Sequence, residues 1–356
     1  MAELDIPESR FVDLDGPVHY VEWDGPSERS FVLLHGLGGS YLSWVLVGRR
    51  LSEHGRVLAL DLAGFGRTPR DGRSSKLSAN QVLLARFIDE VIGGPAVLIG
   101  NSMGGAIAML QAAYEPASAE GVVLSASVFP WARGGVPSAL VLTGFALYRA
   151  PGIGEWVARK RFTAMSAERI VRLGFRIVAM NPSTVPEELI RAHIDLLLER
   201  QKDPDIGPAL VEAARSLLRL GERGELARTV LDRVKCPVLV IHGYGDRLVP
   251  VAFAQSAIAS HPNWRVRLLP RVGHVPMIED PDRWMAAVTG WLEERRSLLA
   301  AVRSQVLPEA DVVLMNPLHP DAARVRPLVT RPFSFAECLH TPPMLARYSG
   351  QSDAPT

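Results

Sequence analysis

Apolar residues along this chain recur in short continuous runs set off by glycine, proline and aspartate. FVLLHG (31–36), RVLALD (56–61), AVLIGN (96–101), GVVLSA (121–126), PVLVIHG (237–243) and WRVRLLP (264–270) are rich in Val, Leu and Ile. Runs without polar alternation predict strands buried on both faces. Helical periodicity fills 41–53, 78–92, 103–115, 250–260 and 281–297. Nearer the start, FVDL and VHYVEW flank Asp15-Gly16-Pro17 and predict a hairpin. Strand and helix in alternation predict an α/β fold, with a mostly parallel central sheet covered by helices on both faces.

One interval breaks the rhythm. Between about 128 and 232 no strand run occurs, whereas SAERIVRLGFRIVAM and PEELIRAHIDLLLERQ carry helical patterns. An excursion of that length is not a plain loop, and it reads as an inserted helical cap. Beyond 300, prolines recur at 308, 317, 320, 327, 332, 342 and 343. That extension reads either as an extended arm packed on the body or as a partly disordered segment. The expected organisation is therefore a core in two parts, 1–127 and 233–299, a helical insertion over 128–232, and a proline-rich extension over 300–356.

Composition narrows the function classes. Of 356 residues, 47% are apolar and 22% charged, and the formal net charge is +1 with both signs interspersed. This suits a folded domain with a sizeable core and gives no electrostatic footprint for nucleic acid. Two cysteines, Cys236 and Cys338, do not make a disulfide framework. MAELDIPESR lacks the character of a signal peptide, and SALVLTGFALY (138–148) is too short to span a bilayer. No transmembrane segment and a cytoplasmic location are expected. Cys338, His340 and His319 lack metal-ligand spacing, so no metal is expected.

The candidate chemistry starts at LIGNSMGG (98–105), where an apolar run turns into a helix at Ser102. A turn tight enough to lift a side chain clear of a sheet needs neighbours without bulk, here Gly100, Gly104 and Gly105. A serine hydroxyl needs a base. His274, in RVGHVPMIEDP after the last strand run, can serve, and Asp246, in HGYGDRLVP, can orient it. The order Ser102, Asp246, His274 is that of nucleophile-elbow hydrolases, and all three follow predicted strands, where open α/β sheets place their sites. The run 121–126 leads into Ser125-Ala126-Ser127 and offers no competing carboxylate. The Leu37 amide in HGLGGS and the Met103 amide are the expected oxyanion donors. His35, His242 and Asp61 read as loop-holding residues. Phe129, Trp131 and Val275 are candidate substrate contacts; Phe129 and Trp131 equally suit an apolar core within the insertion.

Over about 15–297 the chain resembles the α/β-hydrolase superfamily. The resemblance is carried by HGLGGS, DLAGFGRT (61–68), GNSMGG (100–105), GYGDRLVP (243–250) and GHVPMIEDP (273–281), in that order. It implies a Ser-Asp-His triad, an oxyanion hole, a small-molecule substrate and no cofactor. Serine at the elbow sets the chain apart from epoxide hydrolases and haloalkane dehalogenases, which use a carboxylate there. Cleavage of a carboxylic ester is the first expectation. Hydrolysis of a C–C bond is second, because Asn101 before the serine is shared with those enzymes although Val275 replaces their usual tryptophan. A ligand-binding protein without turnover is third.

Overall fold

The computed structural model describes residues 4–26, 28–129, 136–222, 232–296, 299–303 and 311–315. They fall into two compact units, 1–294 and 295–356.

The first unit is built on an eight-stranded sheet. Its strands are β1 (Ser9–Asp13), β2 (Pro17–Trp23), β3 (Ser30–Leu34), β4 (Arg56–Leu60), β5 (Ala96–Asn101), β6 (Ala119–Ser125), β7 (Val238–Gly243) and β8 (Arg265–Leu269), in the order β1-β2-β4-β3-β5-β6-β7-β8. The pairs β1–β2 and β2–β4 are antiparallel and all others parallel. The expected hairpin and parallel sheet are both present.

Alternation of side chains across the sheet divides the core. Val32, Leu34, Leu58, Leu60, Leu98, Val122 and Val240 join one apolar cluster, whereas Phe31, Leu33, Val57, Ala59, Val97, Ile99, Val123 and Ile241 join the other. The strands β3 to β7 thus bury both faces, as their apolar runs require. Helices α2 (Leu77–Phe87), α3 (Met103–Tyr114) and α9 (Val251–Ser260) cover the first face. The short α1 (Gly48–Leu51) and α11 (Pro281–Arg296) cover the second.

The chain runs from β3 outward to β4 and then back past β3 to β5. The loops leaving β3 and β5 therefore diverge over a crevice at the carboxyl edge, the place where such sheets bind ligands.

Among the described residues, five α-helices lie between β6 and β7: α4 (Ala139–Arg149), α5 (Ile153–Ala164), α6 (Ala167–Val178), α7 (Glu187–Arg200) and α8 (Ile206–Glu222). Polar and backbone contacts tie them to the carboxyl edge of the sheet. Arg200 donates to Gly64 O (2.7 Å), Ser75 N donates to Glu212 (2.9 Å) and Leu77 N donates to Ser216 Oγ (3.1 Å).

Two expectations need correction. WRVRLLP does not form a strand buried on both faces: β8 is the sheet edge, and Arg265 and Arg267 reach outward to Glu294. Residues 41–53 do not form one helix but a 3₁₀ turn at Tyr41–Trp44, then α1, then a second 3₁₀ turn at Ser52–His54. Tertiary contacts cut the segment up. Asp61 Oδ1 accepts from Tyr41 N (2.7 Å), and Gly48 lies against Trp23, whose ring a Cβ would meet at 2.6 Å.

In the second unit, β9 (Leu299–Arg303) and β10 (Asp311–Met315) pair antiparallel, where the sequence pattern predicts no strand. Among the described residues no helix is long and apolar enough to cross a membrane, and no group of His, Cys, Asp and Glu could hold a metal ion. Cys338, His340 and His319 lie outside the described residues.

Candidate active site

Ser102 occupies the single residue between β5 and α3, with φ +53° and ψ −114°. This lies outside the left-handed well that non-glycine residues sometimes visit, and such geometry costs about 1–3 kcal/mol. Its surroundings enforce it. Ser102 N donates to Ser125 O (3.2 Å), while Ser102 O accepts from Gly105 N (3.1 Å) and Ala106 N (3.3 Å) as the helix starts. Gly104 has no room for a Cβ, because the carbonyl oxygens of Leu34 and His35 press on it. Helix α3 thereby meets the end of β3 backbone to backbone.

The loop after β3 approaches the same serine. A Cβ on Gly36 would lie 3.2 Å from Ser102 Cβ, and Gly39 N closes the loop onto Gly36 O (3.0 Å). Among the described residues, neither the Leu37 nor the Met103 N–H donates to a protein acceptor. His35 fastens this loop to the DLAGFGRT turn, with Nδ1–H donating to Gly36 O (2.8 Å) and Nε2 accepting from Leu62 N (3.1 Å). Burial pushes the His35 imidazole below its ordinary value, which matches a neutral ring using both nitrogens.

Asp246 and His274 form a buried pair on the loops after β7 and β8. His274 Nδ1–H donates to Asp246 Oδ2 (2.7 Å), and Asp246 Oδ1 accepts from Leu248 N (2.8 Å) and Val249 N (2.9 Å). His242 lies beneath, with Nε2 2.8 Å from Val249 O and 3.3 Å from Asp246 Oδ2. Burial by itself raises the Asp246 carboxyl. The facing His274 charge and the hydrogen bonds from His242 and His274 outweigh it and hold Asp246 well below the usual carboxylate range.

A carboxyl depressed in the folded state stabilises the fold fully above its unfolded value of about 3.9, and that stability is lost as pH falls through the depressed value. In urea unfolding, the stability difference between wild type and Asp246→Asn is therefore expected to shrink as pH drops below about 4. A difference unchanged down to strongly acid pH would mean that the carboxylate is not held ionised.

Asn101 links the two halves of the site, since its Nδ2 donates to Ser125 O (3.0 Å) and to His274 O (3.0 Å). None of the hydrogen bonds among the described residues joins Ser102 Oγ to His274; such contacts tighten in substrate complexes. Ser102 is 8% exposed and His274 3%, so the site is screened from bulk water.

Of the candidate substrate contacts, Phe129 is buried in the same apolar cluster as Met103 and Leu210. Val275 is buried directly after His274, and Trp131 lies outside the described residues. Sequence patterns do not reveal the reach of Asn101, the support of Asp246 by His242, or the reach of Glu279 to Met180 and Asn181, some hundred positions earlier. The motif GHVPMIEDP contains Glu279 but carries no sign of what it binds.

A parallel-sheet α/β domain that raises a serine on a strand-to-helix turn, beside an acid–histidine pair on later strand ends, has the architecture of an α/β hydrolase. The chain belongs to the alpha/beta hydrolase family, whose sequence model matches residues 31–288. Its relatives include a pimeloyl-[acyl-carrier protein] methyl ester esterase of Serratia marcescens, 26% identical over 77% of this chain and 97% of that protein. A 2-hydroxy-6-oxononadienedioate/2-hydroxy-6-oxononatrienedioate hydrolase of Burkholderia vietnamiensis is 27% identical over 77% of this chain and 90% of its own. Among solved structures, a putative lipase from Acinetobacter baumannii superposes with a TM-score of 0.63 at 21% identity, covering 81% of this chain and 91% of that one.

Proposed function

We propose that this protein is a serine hydrolase that cleaves carboxylic esters with a small or medium apolar acyl group through an acyl-enzyme. The observation that carries this reading is the strained Ser102, set at a helix N-terminus in the same site as the His274–Asp246 pair. In this reading Ser102 Oγ attacks the ester carbonyl as His274 Nε2 takes its proton. The Leu37 and Met103 N–H groups receive the oxyanion, and the alcohol leaves with the proton returned by His274. Water then repeats the sequence and releases the acid.

The helices between β6 and β7 act as a cap that selects substrate. Leu210 on α8 supports this role, because its Cδ1 would lie 3.5 Å from a Cβ placed on Gly38 beside the oxyanion loop. Leu210→Ala is expected to move the preferred acyl chain to greater length, and Leu210→Trp to shorter. Each change should alter relative kcat/KM by about 10-fold or more, the usual scale for a methylene in an apolar pocket. Phe129→Ala should shift the profile in the same sense as Leu210→Ala. An unchanged chain-length profile across the series would place the acyl pocket elsewhere.

A second reading, C–C bond hydrolysis, draws on Asn101 before the nucleophile and on the Burkholderia relative. It requires a cation for a dienol-carboxylate. Arg172 on α6 is engaged with Glu168 (2.8 Å) and Glu187 (2.6 Å) on an exposed face, and hydrogen bonds to both keep its guanidinium above its ordinary value. Arg215 is held by Glu155, and Arg200 donates to Gly64 O. These three arginines are thus already committed to partners within the fold.

Assaying p-nitrophenyl esters of graded length beside a vinylogous 1,5-diketone tests the choice. Ester turnover is expected, with little loss of the dienol chromophore. Rapid loss of that chromophore with slow ester turnover would reverse the ranking.

A further inference from the structure

The segment that follows α6 lies directly on the loops carrying the acid and the base. His274 N donates to Val178 O (2.8 Å), at the last residue of α6. A Cβ on Gly273 would fall 2.6 Å from Met180 N and 2.7 Å from Val178 O, and one on Gly245, next to Asp246, would collide with Met180 Sδ. The strap 178–181 therefore touches both loops, the His274 loop backbone to backbone and the Asp246 loop through the Met180 side chain.

One side chain fastens this junction. Glu279 ends the short helix α10 (Pro276–Glu279). Its Oε2 accepts from Met180 N (2.8 Å) and Asn181 N (3.4 Å), and its Oε1 accepts from Gly273 N (2.8 Å), one residue before the base. Among the described residues no cation pairs with this carboxylate, and its partners are backbone N–H groups. Burial pushes the Glu279 carboxyl above its ordinary value despite those hydrogen bonds. A partly buried carboxylate without a counter-ion is costly to keep unless its hydrogen bonds perform a task. Here they join two segments about a hundred residues apart in sequence.

We propose that Glu279 is a positioning residue for His274: by bridging the strap 178–181 to Gly273 it holds the end of α6 against the base, so the helical insertion fixes the imidazole from above while Asp246 fixes it from the side. This rests on the reading of Ser102, His274 and Asp246 as the reacting groups. Glu279 touches no reacting atom; it acts through the strap and the His274 backbone. The insertion then has a second task besides selecting substrate, because its seating determines whether the base is aligned.

The test is Glu279→Gln, which keeps one acceptor oxygen but turns an NH₂ group toward backbone donors, with Glu279→Ala as a stronger variant. Active sites are counted first by stoichiometric reaction with a fluorophosphonate, so that unfolded protein is excluded from the rate. For Glu279→Gln, kcat per titrated site is expected to fall about 10- to 100-fold, the scale of a small misplacement of a catalytic group, with KM little changed. Hydrogen exchange at Met180, Asn181 and Gly273 should accelerate together, while β5 stays protected.

A variant with fewer titratable sites but wild-type kcat per site would overturn the proposal, leaving Glu279 a stability residue only. Faster exchange on one side of the bridge alone would also overturn it. If Glu279→Ala does not fold, Glu279→Gln carries the test. A wild-type protein that cannot be titrated at Ser102 refutes the nucleophile reading instead, and the exchange measurement still decides whether the bridge exists.

Discussion

Ser102→Ala is expected to abolish ester turnover while leaving the folded state intact. In a serine protease, removing the nucleophile costs about 10⁶-fold in kcat, because the triad works as a unit. The same scale is expected here. The hydroxyl lies at the head of α3, and among the described residues no hydrogen bond of the fold depends on it. Alanine keeps the backbone at φ +53°, so stability should change little. Ser102→Gly supplies a second readout. Glycine enters this region without steric cost, and it should be more stable than the alanine variant by about 1 kcal/mol, part of the strain held at the elbow. Esterase activity near wild type in a folded Ser102→Ala protein would remove the nucleophile assignment. A glycine variant no more stable than alanine would show that the elbow holds no strain.

Asp246→Asn is expected to lower kcat by about 10⁴-fold, as in the serine-protease case where the wrong imidazole tautomer results. Asp246 can only accept, so His274 presents Nδ1–H to it at 2.7 Å and leaves Nε2 for the serine. An asparagine in the same place can turn its NH₂ toward Nδ1 and draw the proton to Nε2, where it blocks proton abstraction. The backbone donors Leu248 N and Val249 N still require an acceptor, which fixes the asparagine oxygen on their side and its NH₂ toward His274. Burst kinetics with a p-nitrophenyl ester would measure the loss in the acylation step itself. An Asp246→Asn enzyme within a few fold of wild type would place the orienting acid elsewhere.

The sheet was readable from sequence where both faces of a strand are buried. Val32 and Leu33, or Leu98 and Ile99, face opposite apolar clusters, and no polar residue interrupts the run. WRVRLLP departs from that pattern: Arg265 and Arg267 alternate with Val266 and Leu268, as in a strand with one solvated side, and β8 is the sheet edge. The segment 41–53 has helical content in its sequence, but its breaks are set by Asp61 and Trp23, distant in the chain.

At the candidate site, glycine spacing around Ser102 and the order of Asp246 and His274 were visible because strained turns and strand ends demand particular residues. The cross-links were not. Asn101 to His274 O, His242 to Asp246 and Glu279 to the strap join segments whose proximity exists only once the chain is folded. For the same reason the hairpin of β9 and β10 escaped a reading guided by proline content.

The central claim is that Ser102 is an activated nucleophile. Intact-protein mass spectrometry after treatment with a fluorophosphonate, followed by peptide mapping, tests it most directly. One adduct per chain is predicted, mapped to Ser102, formed far more slowly in Asp246→Asn and absent in Ser102→Ala. A folded wild-type protein that takes up no adduct, or carries it on another residue, would contradict the account.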